Sequence, residues 1–240
     1  MQCDYCRYTD IGGREENEDS IEVLPYGNNL VAVVADGLGG QGDGKDASQL
    51  VCGDLINCGE DGVFPSADTI KKAFERANEN LMRRQRNAYH MKTTAVYFCL
   101  HKNNAVWAHV GDSRLYHIYD GRLCHYTLDH SASQLAVFLG ELKREDIPKD
   151  ADRSRLIRAM GVEDVSPDVY GPIELEPGGQ HVFILCSDGF WEYISDDEFE
   201  KVCAQSTDSE QCLKRLWKIK RSRSSADCDN NSAIVIYVRE

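Results

Sequence analysis

Four aspartates stand at the ends of apolar runs. Leu30 to Ala35 leads into Asp36-Gly37, Ala105 to Val110 into Gly111-Asp112, and Val182 to Cys186 into Ser187-Asp188-Gly189. Asp229 reverses the order, since it comes a few residues before Ala233 to Val238. Runs rich in Val, Ile and Tyr and bounded by Gly, Asn or Asp read as strands, so each of these strands carries an acid at one end. If the last strand is antiparallel to those ending at Asp36 and Asp188, the three acids share one sheet edge. A single aspartate is a common turn former. Crowded carboxylates are different: they repel one another and cost on the order of several kcal/mol to desolvate, so a cluster calls for a hard cation. Oxygen donors with no His or Cys among them point to Mg²⁺ or Mn²⁺. Upstream, Arg14 begins the stretch Arg-Glu-Glu-Asn-Glu-Asp, which ends in Glu18 and Asp19. An arginine there can grip a phosphoryl group with both arms of its fork while nearby acids hold metal-bound water.

The elements that position these residues follow from pattern. The segment from Asp36 through Gly44 carries five glycines, flanked by a strand and a helix. Glycine lets main-chain carbonyls approach a metal, whereas no GK[ST] follows and a lone GxGxxG is a weak nucleotide signal. Further strands are expected at Ser20 to Leu24, Thr94 to His101 and Arg114 to Tyr119. Asn103-Asn104 and Asp120-Gly121 read as hairpin connections. Ile70, Ala73, Phe74, Ala77 and Leu81 fall at three- and four-residue spacing and predict a helix from about Ala67 to Gln85. Ala47, Leu50, Val51 and Leu55 predict a shorter one, and Ser195 with Glu198 has the spacing of a capping box that starts a third. The resulting class is α+β, sheet on sheet with helices outside.

Composition bounds the rest. The 240 residues include 27 Lys+Arg against 40 Asp+Glu, a formal net charge of −13, and 42% are hydrophobic. This describes a globular chain, expected to form one domain over 1–240. The acidic balance opposes nucleic-acid binding, which needs clustered Lys and Arg. No apolar run approaches the ~18 residues of a membrane span, and the N-terminus lacks the pattern of a secretory signal, so a cytoplasmic monomer is expected. Ten scattered cysteines read as small buried hydrophobes, and the Cys3/Cys6 pair has no partner pair at zinc spacing. His101, His109, His117 and His125 recur every eight residues and are expected on successive hairpin strands, at the surface or half-buried, without a metal. Lys214 to Arg223 reads as the exposed end of a helix and loop.

Taken in order, the motifs resemble the metal-dependent protein phosphatase 2C family of serine/threonine phosphatases, in its compact bacterial form. The similarity runs through Gly12-Gly13-Arg14, Asn17-Glu18-Asp19-Ser20, Ala35-Asp36-Gly37-Leu38-Gly39-Gly40, Thr93-Thr94-Ala95, Val110-Gly111-Asp112-Ser113-Arg114, Leu128-Asp129-His130-Ser131, Ser187-Asp188-Gly189 and Asp229-Asn230. The resemblance implies a central antiparallel β-sandwich flanked by helices on both sides, with the metal site at one end. It implies that Asp36 bridges two Mn²⁺ or Mg²⁺ ions, that the Gly37 carbonyl binds one, and that Asp188 and Asp229 complete the other. Asp19 and Glu18 would order metal-bound waters, Arg14 would bind substrate phosphate, Asp112 with Asp188 matches a third-metal site, and Thr94 lies near the site. The implied reaction is hydrolysis of phosphoserine or phosphothreonine in proteins, by in-line attack of a hydroxide held between two metals, opposing a kinase. Residues 131–161 are similar to the family's flap. Leu38 stands where animal members have a histidine, Lys92 replaces a usual glycine and Asn231 a more apolar residue. The alternatives are an inactive binding module of the same fold and a phosphatase for small phosphate esters.

Overall fold

A run such as Leu-Val-Ala-Val-Val-Ala has no polar face, so a strand built from it needs cover on both sides. The computed structural model, which describes residues 1–39, 43–59, 64–85 and 91–239, supplies that cover. In chain order the elements are β1 (Gln2–Asp10), β2 (Asp19–Tyr26), β3 (Asn29–Leu38), α1 (Asp43–Leu55), α2 (Ala67–Arg84), β4 (Lys92–Thr93), β5 (Ala95–His101), β6 (Asn104–Val110), β7 (Arg114–Tyr119) and β8 (Arg122–Tyr126). There follow α3 (Ala132–Phe138), a 3-10 turn (Arg144–Lys149), β9 (Asp168–Glu174), β10 (His181–Cys186), α4 (Asp188–Trp191), α5 (Asp196–Ala204), α6 (Ser209–Arg223) and β11 (Asn231–Arg239).

The strands form two antiparallel sheets, ordered β1-β11-β10-β7-β8 and β2-β3-β5-β6-β9, with β4 added beside β3. Period-two alternation sorts each strand between two cores. Leu30, Ala32 and Val34 of β3 face the other sheet, where Phe98 and Phe183 meet with ring centroids 4.6 Å apart. Val31, Val33 and Ala35 turn outward onto α1 and α2, beside Phe74 and Leu81. On the opposite side, Ile184, Val235 and Tyr237 pack against Phe199, Leu213 and Leu216 of α5 and α6. The molecule is therefore α+β, a sandwich with a helical layer on each outer face, as the sequence implies.

The helices stop and start where the caps fall. Ser66 Oγ accepts from Thr69 N–H at 3.1 Å ahead of α2, and Glu198 accepts from Ser195 N–H at 3.0 Å in the expected capping box of α5. Asp120 and Gly121 both have positive φ, 46° and 76°, as a two-residue hairpin turn requires.

Several expectations need correction. The turn between β5 and β6 is Lys102-Asn103, with Lys102 at φ 56°, one residue earlier than the expected Asn103-Asn104. The strand expected from Thr94 begins one residue later, as β5, because Thr94 turns its backbone and hydroxyl to Asp36 instead of a ladder; the short β4 before it was not expected. The four histidines do lie at the end of β5 and in β6, β7 and β8, but His109 and His117 are buried, since both faces of those strands are covered. Lys214 to Arg223 lies within α6, and Lys220 is buried beside Cys228. Cys3 and Cys6, three apart on β1, pack on opposite faces of its sheet and share no site. Gly40, Gln41 and Gly42 of the glycine-rich segment lie outside the described residues.

Candidate active site

The acids gather at one end of the sandwich, contributed by both sheets. This corrects the single shared edge: β10 and β11 are antiparallel neighbours, but β3 belongs to the facing sheet. Asp19 and Asp36 are directly opposite each other at the ends of β2 and β3, an arrangement that like charges otherwise disfavour. The β10–β11 ladder ends with Cys186 against Ala233, so Asp188 leaves one strand near where Asp229 enters the other. Asp112 sits in the turn by which β6 crosses to β7 in the opposite sheet.

Hydrogen bonds fix each acid by its backbone or its free oxygen. Asp36 N–H donates to Thr94 Oγ1 at 3.0 Å, while Thr94 N–H and Thr93 Oγ1 donate to the Asp36 carbonyl at 2.8 and 2.9 Å. Thr94 Oγ1 also meets Ser113 Oγ at 2.7 Å, which joins the Asp36 strand to the turn holding Asp112. Asp19 Oδ2 accepts from Ser187 Oγ at 2.7 Å, and Ser187 Oγ in turn accepts from Ser232 N–H at 3.0 Å. Gly37 donates to the Glu18 carbonyl at 3.1 Å. A Cβ on Gly37 would run into the Gly44 carbonyl, which explains glycine at this point.

At the mouth, Arg14 Nη2 lies 2.7 Å from Asp229 Oδ2, with side-chain exposures of 57% and 41%. The loop carrying Arg14 is held by Asn230: its Nδ2 donates to the carbonyls of Ile11 and Glu16 at 2.8 and 2.9 Å, and its Oδ1 accepts from Glu18 N–H at 2.9 Å. Asn230 appears in the sequence motif without a role, and Ser187, Trp191 and His130 were equally unassigned. Their contributions are contacts to residues far outside the local motif, Gly111 for His130, Asp112 for Trp191, Asp19 for Ser187 and Ile11, Glu16 and Glu18 for Asn230, for which local spacing holds no signal.

The electrostatics are those of a buried anionic cluster with more carboxylates than nearby cations, since Arg14 pairs with Asp229 at the rim and Arg114 lies near Asp112. Burial, then Asp19, Asp188, Asp112 and Asp229, push the Asp36 carboxyl well above the ordinary range. Burial and Asp188 do the same to Asp112. Burial raises Asp19 to about 7 and, with Asp229 and Glu192 near it, Asp188 to about 6. Glu18 is also raised, by burial and by Glu16. Among the described residues Asp19 Oδ1 is buried with no hydrogen-bond partner. Oxygen donors only, several of them buried and mutually repelling, with one lone pair left unmet, fit a site for hard divalent cations.

A second grouping, His109, His130 and Asp168, brings ligand atoms within 4.8 Å of one another. Here the cation seat is already taken: Arg158 Nη1 lies 2.7 Å from Asp168 Oδ1 and 3.1 Å from His130 Nε2. A separate cleft of about 570 Å³ is lined by Arg114, Arg144, Lys149 and Arg223 together with Glu145, Glu192, Asp196 and Asp197, and none of the clustered acids faces it. No helix among the described residues is long and apolar enough to cross a membrane.

Comparison with known proteins gives the same picture. Residues 10–228 match the family model described as Protein phosphatase 2C. The chain is 27% identical over 240 residues to a putative protein phosphatase of Mycoplasma genitalium, covering 95% of this chain and 92% of that one. It is 32% identical over 190 residues to the serine/threonine protein phosphatase PstP of Mycobacterium tuberculosis, covering 77% of this chain and 35% of that one. The crystal structure of that phosphatase superposes over 100% of both chains with a TM-score of 0.86 at 26% identity. A structure of the PstP catalytic domain in complex with two manganese ions superposes over 99% of each chain with a TM-score of 0.83 at 26% identity. The family model spans most of the chain and the solved structures share its fold, and the chain belongs to the protein phosphatase 2C family.

Proposed function

We propose that the chain is a metal-dependent serine/threonine protein phosphatase in which the acids at the sandwich end hold two Mn²⁺ or Mg²⁺ ions. The observation that carries this reading is the convergence of Asp19, Asp36, Asp112, Asp188 and Asp229 beside Arg14, with burial raising the first four. Asp36 is central to that cluster and would be shared by the two ions, one of which the Gly37 carbonyl would help to hold and the other Asp188 and Asp229. Asp112 with Asp188 holds a third ion when one binds. When bound, the ions supply the positive charge that acidifies a water and neutralises phosphoryl oxygens. Asp19 turns its unpartnered Oδ1 to orient water, Glu18 orders water at the rim, and Thr94 fixes the Asp36 backbone. Arg14, exposed at the mouth on a loop secured by Asn230, binds the substrate phosphate as a charged fork. Leu38 has no ionisable proton to give, so a water held at the metal site would have to protonate the leaving oxygen.

Residues 1–240 act as one catalytic unit, with 131–161 as its flap. The substrates are proteins phosphorylated on Ser or Thr by an opposing kinase, and the enzyme works as a cytoplasmic monomer away from nucleic acid and membrane. The charge of −13 supports the exclusion of nucleic acid. The test is phosphate release from a phosphothreonine peptide with Mn²⁺, with chelator, and for Asp36→Asn. Release that needs Mn²⁺ and is lost in the variant is expected. Folded, Mn²⁺-supplied protein that releases nothing would refute it.

A further inference from the structure

Between Asp112 and Asp188 lies a brace that the reaction itself does not use. Trp191 is on the same single helical turn as Asp188, three residues on, and its indole Nε1 donates to the Asp112 carbonyl at 3.0 Å. One side chain thus links the turn that bears one carboxylate to the backbone of the other. Its ring is held in place from outside: the Arg114 guanidinium lies 3.4 Å over the ring centroid. Arg114 is locked in turn by a fork on Asp129, Nε to Oδ1 at 2.7 Å and Nη2 to Oδ2 at 2.6 Å, and by Tyr116 Oη at 3.0 Å. The peptide ahead of Asp112 is pinned as well, because His130 Nδ1 accepts from Gly111 N–H at 3.0 Å.

A buried ion pair such as Arg114–Asp129, with side-chain exposures of 7% and 2%, is weak evidence for stability, since apolar residues of the same volume commonly do as well. What an apolar pair cannot supply is a flat, fixed cation that holds an indole at one angle. Asp112 lies two residues before β7 and Asp188 two residues after β10, so the β7–β10 ladder, whose end pair is Arg114 with Cys186, brings the two turns side by side and leaves the backbone beyond that pair to be fixed by side-chain contacts. We propose that Trp191, clamped by Arg114 and Asp129, is a positioning residue that sets the distance between Asp112 and Asp188 and so the affinity for the third ion. The proposal rests on the reading of those two acids as ligands of that ion.

The experiment is a Mn²⁺ titration followed by calorimetry and by the signal of free Mn²⁺ in electron paramagnetic resonance, for wild type, Trp191→Phe and Asp112→Asn. Phenylalanine keeps a ring under Arg114 and removes the N–H donor. Outer contacts to ligand-bearing groups commonly change metal affinity 10–100-fold. Trp191→Phe is therefore expected to weaken the loosest Mn²⁺ by about tenfold and leave the two tighter ions unchanged, with a melting temperature lowered by about a few degrees because a buried ring is trimmed and a carbonyl loses its donor, and Asp112→Asn is expected to abolish the loosest ion. Wild-type affinities in Trp191→Phe, or a parallel loss at every ion, would overturn the proposal while leaving the ligand reading intact. Retention of the loosest ion by Asp112→Asn would overturn the ligand reading and the proposal with it. A second measurement does not depend on any variant folding. In wild type labelled with ¹⁵N-tryptophan, the Trp191 indole resonance should shift as Mg²⁺ fills the loosest site, and a resonance that stays fixed overturns the proposal.

Discussion

Replacing Asp188 by asparagine should make the metal-free protein more stable while removing its response to metal. Burial beside Asp229 and Glu192 lifts the Asp188 carboxyl from 3.8 to about 6. At about 1.36 kcal/mol per pH unit, keeping it ionised at pH 8 costs the fold roughly 3 kcal/mol. Asparagine preserves the shape, can accept from Gly189 N–H and can donate to Asp36, but its amide is also buried, so a net gain of about 1–2 kcal/mol remains. For a domain of this size that is an increase of roughly 3–6 °C in melting temperature. The sign follows from the raised value: the cost is complete above pH 6, shrinks as the pH falls toward 3.8, and is absent below that. The advantage of the variant in chelator should therefore be largest at pH 8 and vanish near pH 4. Adding Mn²⁺ at about 100 times its dissociation constant should stabilise wild type by roughly 2.7 kcal/mol and the variant far less. Melting followed by circular dichroism across pH, with chelator and with Mn²⁺, tests both halves. A variant less stable than wild type in chelator at pH 8, or a gap that ignores pH, would show that the acids do not strain the fold as argued.

Acid should weaken the protein through its buried histidines. Burial beside His130 and His181 respectively pushes His109 and His117 down to about 3, so the unfolded chain binds protons near pH 6.5 that the fold refuses. Each histidine then removes about 2 kcal/mol of stability between pH 7 and pH 5. His117→Gln, which can still donate to His181 Nδ1, should recover about that amount in urea titrations of the Mn²⁺-loaded protein, and identical losses in both proteins would count against it. Arg14→Ala should lower kcat/KM for a phosphothreonine peptide about 10–100-fold, the value of a charged hydrogen bond, with Mn²⁺ affinity retained; an unchanged kcat/KM excludes the phosphate role. Asp129→Ala should cost about 3–5 kcal/mol, because it strands the Arg114 guanidinium in the interior; equilibrium denaturation that finds less than 1 kcal/mol contradicts it.

What the sequence disclosed and what it hid divide along one physical line. Strands with both faces buried, such as β3, β6, β10 and β11, are legible as apolar runs because burial dictates every residue. Strands β1, β8 and β9 escaped notice: the first two are edge strands, largely partnered on one side, and β9 contains Gly171 and Pro172, which ordinarily argue against a strand. The acids were legible because each ends a readable strand. Their grouping needed the knowledge that two sheets stack, which period-two alternation allows but cannot prescribe. Asn230, Ser187 and Trp191 were not legible, since their parts are played through bonds to residues distant in sequence. The burial of His109 and His117 was missed for a related reason, as polarity suggests exposure until the covering element is known.

The location of the site follows from the layers themselves. In a sandwich with filled interior and helices on both outer faces, substrate cannot approach the sides, and the strand ends are the places where many separate segments meet in the open. Like-charged acids can be assembled there because backbone contacts that do not involve their charge anchor them: Thr94 on the Asp36 N–H, Asn17 on the Asp19 N–H, Trp191 on the Asp112 carbonyl. The repulsion among the acids is then carried by a rigid frame instead of relaxing outward. A cation entering such a frame meets carboxylates already close together, and the energy that the fold gave up to hold them reappears as metal affinity. The same reasoning explains why the acids should be the residues whose neutralisation stabilises the protein and disables it.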